Sequence, residues 1–178
     1  MQISLDTILD FHRARTQAHV DCVNYYAGLV GYHFPEHDND KLGDPVRTGY
    51  AYYNYSKYHP EIKLTPAHVE LYEHAKKEHH TCQPHHVHYY EHTADISDVT
   101  LIEMICDWHS ANFEQRFITH EDPQDYDVRA FFQRKMMTNP ELKWTEHQIE
   151  LIEQTIDFLE MYANHDDVMN IWLPLLGM

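Results

Sequence analysis

The sequence predicts an all-α protein made of a single helical domain. Along most of the chain, apolar side chains recur at intervals of three and four residues, which places them on one face of a helix. Residues that favour helix N-caps precede several of these segments. No alternating pattern of useful length indicates a β-strand, and no repeat or linker divides the 178 residues. One domain with one core is therefore expected over residues 1–178.

The N-terminal half contains three predicted helices and one polar loop. The first helix is expected over residues 5–30, with His19 on its inward, apolar face. The segment YHFPEHDNDKLGDP then forms a loop. Asp44-Pro45 combines an N-cap residue with a proline suited to the first helical position, so it predicts the start of the second helix. Thr65-Pro66 carries the same signature and starts a third helix that runs to about His80.

The C-terminal half is predicted to be helical as well. A break over Thr81–Pro84 precedes a shorter helix over His85–Tyr90, and Asp98 is expected to cap the helix VTLIEMICDWHSANFEQR. Further helices are expected within residues 128–163, the last of them opened by a capping box of Thr145 and Gln148. The apolar tail VMNIWLPLLGM is expected to pack back on the bundle, and a homodimer contact is the alternative.

Composition narrows the classes of partner. A net charge of −16 opposes direct binding to nucleic acid, whose affinity comes from Lys and Arg. A small anionic substrate remains open, because bound divalent cations would reverse the field locally. No apolar run is long enough to span a bilayer. The three cysteines are widely scattered, which argues against a disulfide framework and predicts a reducing, cytoplasmic setting.

Two segments carry the residue types of a metal site. In EHHTCQPHHVHYYEH, residues 78–92, six of fifteen residues are histidine, and EHDNDKL places His37 beside Asp38. Imidazole next to carboxylate suits Mn, Fe, Co or Zn, and a carboxylate can bridge two ions. Asp107 lies in an otherwise apolar helix, where an unpaired carboxylate is costly. Helical bundles build metal sites from such inward-facing side chains on different helices.

Each of these residues has an ordinary explanation when taken alone. His37 and Asp38 fit a solvated loop, and His79 fits the carboxyl end of a helix, where basic residues are common. Asp107 fits a buried ion pair with Arg13 or Arg15. It is the set taken together that favours a metal site. The other histidines, with His80, His88 and His92 among them, are expected to be surface or packing residues.

The order of these residues resembles a known pattern. His19, His37-Asp38, His79, His85-His86 and Asp107 resemble the H…HD…H…HH…D pattern of the HD-domain superfamily, over about residues 12–116. Lys41 resembles the lysine of the superfamily's HD-x-x-K sites. More narrowly, HDNDKL and EMICDW are similar to an uncharacterised branch of phages and bacteria that reads HD-x-SKF and NPHH. Asp40 and Gln83 stand where that branch has serine and asparagine.

The resemblance implies an all-α HD bundle and metal-dependent hydrolysis of a phosphate ester, often a nucleotide. The implied cofactors are divalent transition metal ions, expected to be two (Mn, Fe, Co or Zn, with Mg also open). The implied ligands are His19, His37, Asp38, His79, His85, His86 and Asp107. Asp38 would bridge the ions, Lys41 would neutralise charge on the phosphate, and Asp40 or Glu36 would handle protons.

Two other functions fit the same residues. The HD superfamily also includes di-iron oxygenases with a very similar set of four histidines and two aspartates, and ligand spacing does not separate the two chemistries. The third hypothesis is a metal-stabilised binding protein without turnover. Metal content and retained ligand would discriminate among the three.

Overall fold

The computed structural model describes residues 3–120 and 128–177. Within these ranges the chain forms seven α-helices and no strand, so the predicted all-α class is confirmed. The helices are α1 (Leu5–Leu29), α2 (Val46–Tyr58), α3 (Pro66–Cys82), α4 (Asp98–Phe113), α5 (Val128–Phe131), α6 (Glu146–Tyr162) and α7 (His165–Trp172). A π-helical turn extends α4 over Glu114–Ile118, and another extends α5 over Phe132–Met136.

Side-chain caps explain where several helices begin. The hydroxyl of Thr65 accepts from the backbone N–H of His68, whose ring accepts from the Thr65 N–H in return. Thr145 and Gln148 form the corresponding pair at the start of α6. Both capping residues were predicted, Thr65 from the proline that follows it and Thr145 from Gln148 three residues later, because each signal is local in the sequence.

Two predicted caps are wrong by one position or more. Ser97, not Asp98, caps α4, since its hydroxyl accepts from the Thr100 N–H and Asp98 becomes the first helical residue. Asp44 does not cap α2, which begins at Val46 after Pro45. The Asp44 carboxylate accepts from Arg47 instead, at 3.1 Å.

The expected helix over His85–Tyr90 is reduced to a short 3₁₀ turn, Val87–Tyr89. The backbone of His86 is extended, with φ −119° and ψ 137°. This conformation lets the chain turn back after α3, so that His85 faces the interior, where it is buried.

Helix α1 lies at the centre of the bundle and packs against α2, α4, α6 and α7, while α2 and α3 form a closely packed pair. The main core contains fully buried side chains from α1, α4 and α6, including Val23, Ile105 and Ile156. The C-terminal tail packs back as predicted, because Trp172 at the end of α7 is fully buried in this core.

Among the described residues, no helix combines the length and the apolar character that crossing a membrane requires.

Candidate metal centre

Five separate parts of the chain, α1 among them, meet at one point inside the bundle. Helix α1 contributes His19, the loop after it contributes His37 and Asp38, and α3 contributes His79. The segment after α3 contributes His85 and His86, and α4 contributes Asp107. The structure therefore brings together all seven residues that the sequence analysis proposed as ligands.

The loop that carries His37 and Asp38 is tied to α1 at both ends. At its start, the backbone N–H of Phe34 donates to the side chain of Asn24 at 2.6 Å. At its end, the ring of His12 hydrogen-bonds with the carbonyl of Lys41 at 2.8 Å. His12 is buried, so its predicted packing role agrees with its position.

Asp38 itself adopts a left-handed backbone conformation, with φ 60° and ψ 11°. This region is unfavourable for most residues with a side chain, and Asp is among the few that visit it. The conformation starts the 3₁₀ turn Asn39–Leu42 and leaves the Asp38 carboxylate fully buried between α1 and α3.

One group of ligand atoms forms between α1, the loop and α4. His19 Nε2 lies 3.0 Å from Asp107 Oδ1, and His37 Nε2 lies 3.7 Å from the same oxygen. The ligand atoms of these three residues lie within 4.8 Å of one another, so they could hold one metal ion.

A second group forms between α3 and the segment that follows it. It consists of His79, His85 and His86, whose ligand atoms also lie within 4.8 Å of one another. His79 Nε2 and His86 Nε2 are 2.8 Å apart. Three imidazoles that converge in this way provide the nitrogen donors that borderline divalent metals prefer.

Asp38 lies between the two groups and faces both. Its Oδ2 is 3.3 Å from His19 Nε2, while its Oδ1 is 3.2 Å from His79 Nε2 and 3.4 Å from His85 Nε2. Oδ2 is thus nearest to the first group and Oδ1 is nearest to the second, while Oδ1 also lies 3.9 Å from His37 Nε2. This is the placement that a bridging ligand needs.

Several atoms at this point are buried without a hydrogen-bond partner among the described residues. Asp38 Oδ1, His37 Nε2 and His85 Nε2 are in this state. Asp38 Oδ1 lies near two rings but accepts no hydrogen bond of good geometry from either. Buried polar atoms are nearly always paired, so three orphaned atoms in one cluster indicate a missing partner. A metal cation fits, because it would accept electron pairs from all three.

In three of the candidate ligands, the second ring nitrogen, Nδ1, points away from the cluster and has a hydrogen-bond partner. The pairs are His19 Nδ1 with Ser110 Oγ at 2.9 Å, His37 Nδ1 with Glu103 Oε1 at 2.9 Å and His79 Nδ1 with Asp40 Oδ2 at 2.8 Å. Metal-bound histidines almost always have such an outer partner, which sets the tautomer and the ring orientation. These outer pairs direct the three Nε2 atoms toward the centre of the cluster, as metal binding requires.

Neighbouring charges shift the pKa values of the buried Asp and His side chains in the cluster. Burial alone would raise the pKa of Asp38, but Lys41 and His37 outweigh it and hold this pKa well below its usual range. The pKa of Asp107 is likewise held low, against burial, by His19 and His37. For His37, burial lowers the pKa, but Asp38 and the other carboxylates raise it to about 10. Two ionised carboxylates therefore lie inside the bundle, where they favour a positive charge between them.

The residues proposed to act on the substrate lie around Asp38. Lys41 is buried, and its Nζ donates to Asp38 Oδ2 at 2.6 Å and lies 4.9 Å from the centre of the Tyr50 ring. Asp40 contacts His79 through Oδ2, while its Oδ1 is buried without a hydrogen-bond partner among the described residues. Glu36 is exposed and accepts from Asn39.

The suggested ion pair of Asp107 with Arg13 or Arg15 does not form in the part of the chain that the structure describes. Arg15 donates from Nε to Glu114 at 2.8 Å, and Arg13 pairs with Asp10 on the surface. Asp107 is thereby left for His19 and His37, as the metal-site reading requires.

Glu103 and Ser110, which pair with the outer ring nitrogens of His37 and His19, are not among the residues predicted from the sequence. A signal for Glu103 was present, because it precedes Asp107 by four residues and such residues share one helix face. Ser110 had no comparable signal, since its partner His19 is 91 residues away in the chain.

The structure also places the histidines that were not proposed as ligands. His80, His88 and His92 belong to none of the groups of converging ligand atoms within the described ranges. The His80 ring stacks on the His86 ring at 4.2 Å, and His88 is exposed.

Comparison with known families gives one match, to a family of unknown function, DUF5662, over residues 9–165. Because this match spans most of the chain, the protein belongs to that family. The matched range contains the whole cluster from His19 to Asp107. Neither the curated proteins nor the solved structures contain a match.

Proposed function

We propose that this protein is a metal-dependent phosphohydrolase of the HD type that acts on a nucleotide or another small phosphate ester at a two-metal centre. The observation that carries the proposal is the cluster around Asp38. Asp38 lies between two groups of converging ligand atoms and close to histidines of both, with orphaned atoms inside the cluster and paired ring nitrogens outside it.

The two groups divide the ligands between two ions. His19, His37, Asp38 and Asp107 would hold one ion, and Asp38 with His79, His85 and His86 would hold the other. Divalent ions bound there would supply Lewis acidity toward a phosphoryl oxygen and would lower the pKa of water.

The remaining polar residues have roles that follow from their positions. Asp40 holds a proton on His79 Nδ1, which keeps Nε2 of that ring available, and its free Oδ1 could accept a proton during the reaction. The ammonium of Lys41 lies beside the bridging carboxylate, where it would neutralise negative charge that develops on a phosphate. This ammonium is what favours phosphate chemistry over oxygen chemistry at the same ligand set.

The sequence patterns support the same class. The order of the ligands and the spacing of Lys41 from Asp38 resemble HD-domain phosphohydrolases, and the helical fold agrees with theirs in class. A cytoplasmic setting belongs to the proposal, supported by three free cysteines, Cys22, Cys82 and Cys106.

The test combines metal analysis with hydrolysis assays on three proteins. Native protein should contain close to two transition-metal ions after reconstitution, and it should hydrolyse a member of a panel of nucleoside monophosphates, cyclic nucleotides and aryl phosphates. Asp38→Ala should lose both ions, because it removes the shared ligand. Lys41→Met should keep both ions and lose at least about tenfold in kcat/KM, or about 1.4 kcal/mol of transition-state stabilisation.

The matched control is Lys63→Met, a change at an exposed lysine outside the cluster, which should behave as the native protein does. If the metal-loaded native protein hydrolyses nothing on the panel but consumes oxygen, the protein is an oxygenase and not a phosphohydrolase. Metal retention with a tightly held ligand and no turnover would indicate the binding protein.

A further inference from the structure

A cavity on α3 lies next to the proposed metal centre. Its volume is about 180 Å³, and it is lined by Glu73, Lys76, Lys77, His80, Thr81 and His88. The ring of His80 forms part of its wall and stacks on His86, with 4.2 Å between ring centres. One wall of the cavity is therefore in direct contact with a ligand of the second group.

The lysines of this cavity are not neutralised by the fold. Within the described residues, neither Lys76 nor Lys77 lies within ion-pair distance of a carboxylate, and Glu73, one turn earlier, pairs with neither. The chain has 29 acidic residues and 13 Lys and Arg residues, so acidic partners are plentiful. Two adjacent lysines without one leave a local positive charge on a strongly acidic protein.

The remaining lining adds hydrogen-bond donors. The rings of His80 and His88 lie 5.2 Å apart in a stacked arrangement at the cavity wall, and each imidazole can donate an N–H. The hydroxyl of Thr81 already donates to the Lys77 carbonyl at 2.9 Å, so it can still accept but offers no further donor. Two ammonium groups and two imidazoles outnumber the single carboxylate of Glu73 around this small cavity, which therefore suits an anionic group.

We propose that this cavity binds a second anionic group of the substrate, an inference that rests on the proposed phosphohydrolase function. The substrate class is then narrower than phosphate esters in general. It is a phosphate monoester or diester that carries another phosphate or a carboxylate, with one anionic group at the metal centre and the other between Lys77 and His88.

The experiment measures affinity by titration calorimetry, so it does not depend on turnover. The probes are phenyl phosphate and 4-carboxyphenyl phosphate, which differ only in the second anionic group. Native protein should bind the second probe at least about fivefold more tightly, as a charge-assisted contact would give. Lys77→Gln and His88→Gln should each bring this affinity ratio close to one. A third probe, 1,4-phenylene bisphosphate, tells whether phosphate or carboxylate is preferred.

Lys63→Gln is the matched control, since it removes one exposed lysine elsewhere and should leave the ratio as in the native protein. A ratio near one in native protein, or a ratio unchanged in both variants, overturns the inference. Metal content measured on every sample separates the two proposals. If the metal is bound but the affinity ratio is one, the anion site is ruled out and the proposed phosphohydrolase function is unaffected. Protein that takes up no metal after reconstitution overturns the phosphohydrolase and, with it, this narrower substrate class, whatever the ratio.

Discussion

At the scale of single residues, Glu103 links the two groups of ligands. Its Oε1 lies 2.9 Å from His37 Nδ1 and 3.6 Å from His85 Nδ1, and these histidines belong to different groups. One carboxylate on α4 therefore orients a ligand on each side of Asp38. Its hydrogen bond with His37 favours a proton on Nδ1 of that ring, and its negative charge favours the same tautomer of the nearby His85. In each ring Nε2 is then the nitrogen that can bind a cation.

We predict that Glu103→Gln weakens binding of both proposed ions by at least about tenfold, the lower end of what losing an outer partner costs. The amide keeps the size of the side chain but removes the negative charge that favours Nδ1–H on both rings. Competition against a chromophoric chelator measures the two affinities.

Glu91→Gln provides the comparison, because Glu91 is exposed and lies outside the cluster. Its metal affinity should equal that of the native protein. Loss of one ion with unchanged affinity for the other in Glu103→Gln would show that Glu103 serves only one side.

At the scale of helices, the position of α3 depends on a close contact with α2. A methyl group built on Gly49 would lie 2.4 Å from the Leu71 carbonyl oxygen and 2.8 Å from Ala75 Cβ. Only glycine allows the two helices to approach this closely. The contact matters for the centre, since His79 lies one turn beyond Ala75 on the same face of α3.

Gly49→Ala should reduce the free energy of unfolding by about 1–3 kcal/mol, as expected when atoms are forced into a packed contact. It should also weaken metal binding, because α3 must shift and carries His79 with it. Urea denaturation measures the first effect, and metal titration measures the second.

Gly28→Ala is the control for this substitution. Gly28 lies in the last turn of α1, and a Cβ added there meets no heavy atom within 4 Å. Alanine should stabilise this helical position by up to about 1 kcal/mol and leave metal binding unchanged. Equal stabilities for the two variants would mean that the α2–α3 contact is not tight.

At the scale of the whole molecule, a buried ion pair joins distant parts of the chain. Arg15 of α1 donates through its guanidinium to Glu114, which follows α4, and Tyr58 at the end of α2 donates to Glu114 Oε1 at 2.9 Å. Burial raises the pKa of Glu114, but Arg15 outweighs burial and lowers this pKa to about 2. The pair therefore links stability to pH.

The pKa of Glu114 is lower in the folded protein than the ordinary value of 4.5. Its contribution to stability is therefore complete above about pH 4.5 and is lost as the pH falls toward 2. Glu114→Gln should lower the free energy of unfolding by about 3 kcal/mol near pH 7, since it leaves Arg15 buried without its partner. This difference from native protein should shrink steadily below pH 4.5 in denaturation curves recorded at each pH.

Glu70→Gln, a change at an exposed position of α3, should alter stability little at any pH. A native-to-Glu114→Gln difference that stays constant from pH 7 to pH 3 would contradict the role of ionised Glu114.

The sequence by itself determined the features that depend on nearby residues. The helical class follows from apolar spacing, the cap at Thr65 from the proline beside it, and the cap at Thr145 from Gln148 three residues later. These features could be predicted, and they are confirmed. The candidate ligands could be named from the sequence, because a carboxylate in an apolar helix or a histidine on an inward helix face is unusual whatever the tertiary packing. Their assembly at one point was an inference from a resemblance.

Only the tertiary structure decided which side chains meet. Arg15 and Glu114 are 99 residues apart, and no local pattern showed that they pair and leave Asp107 to the histidines. The contact between Ser110 and His19 likewise had no local signal. In a chain this acidic, the lysines beside His80 would be expected to pair with carboxylates, and only the structure shows that they do not within the described ranges. Contacts of this kind depend on how whole helices pack, and packing is set by the sum of many side-chain contacts rather than by spacing along one helix.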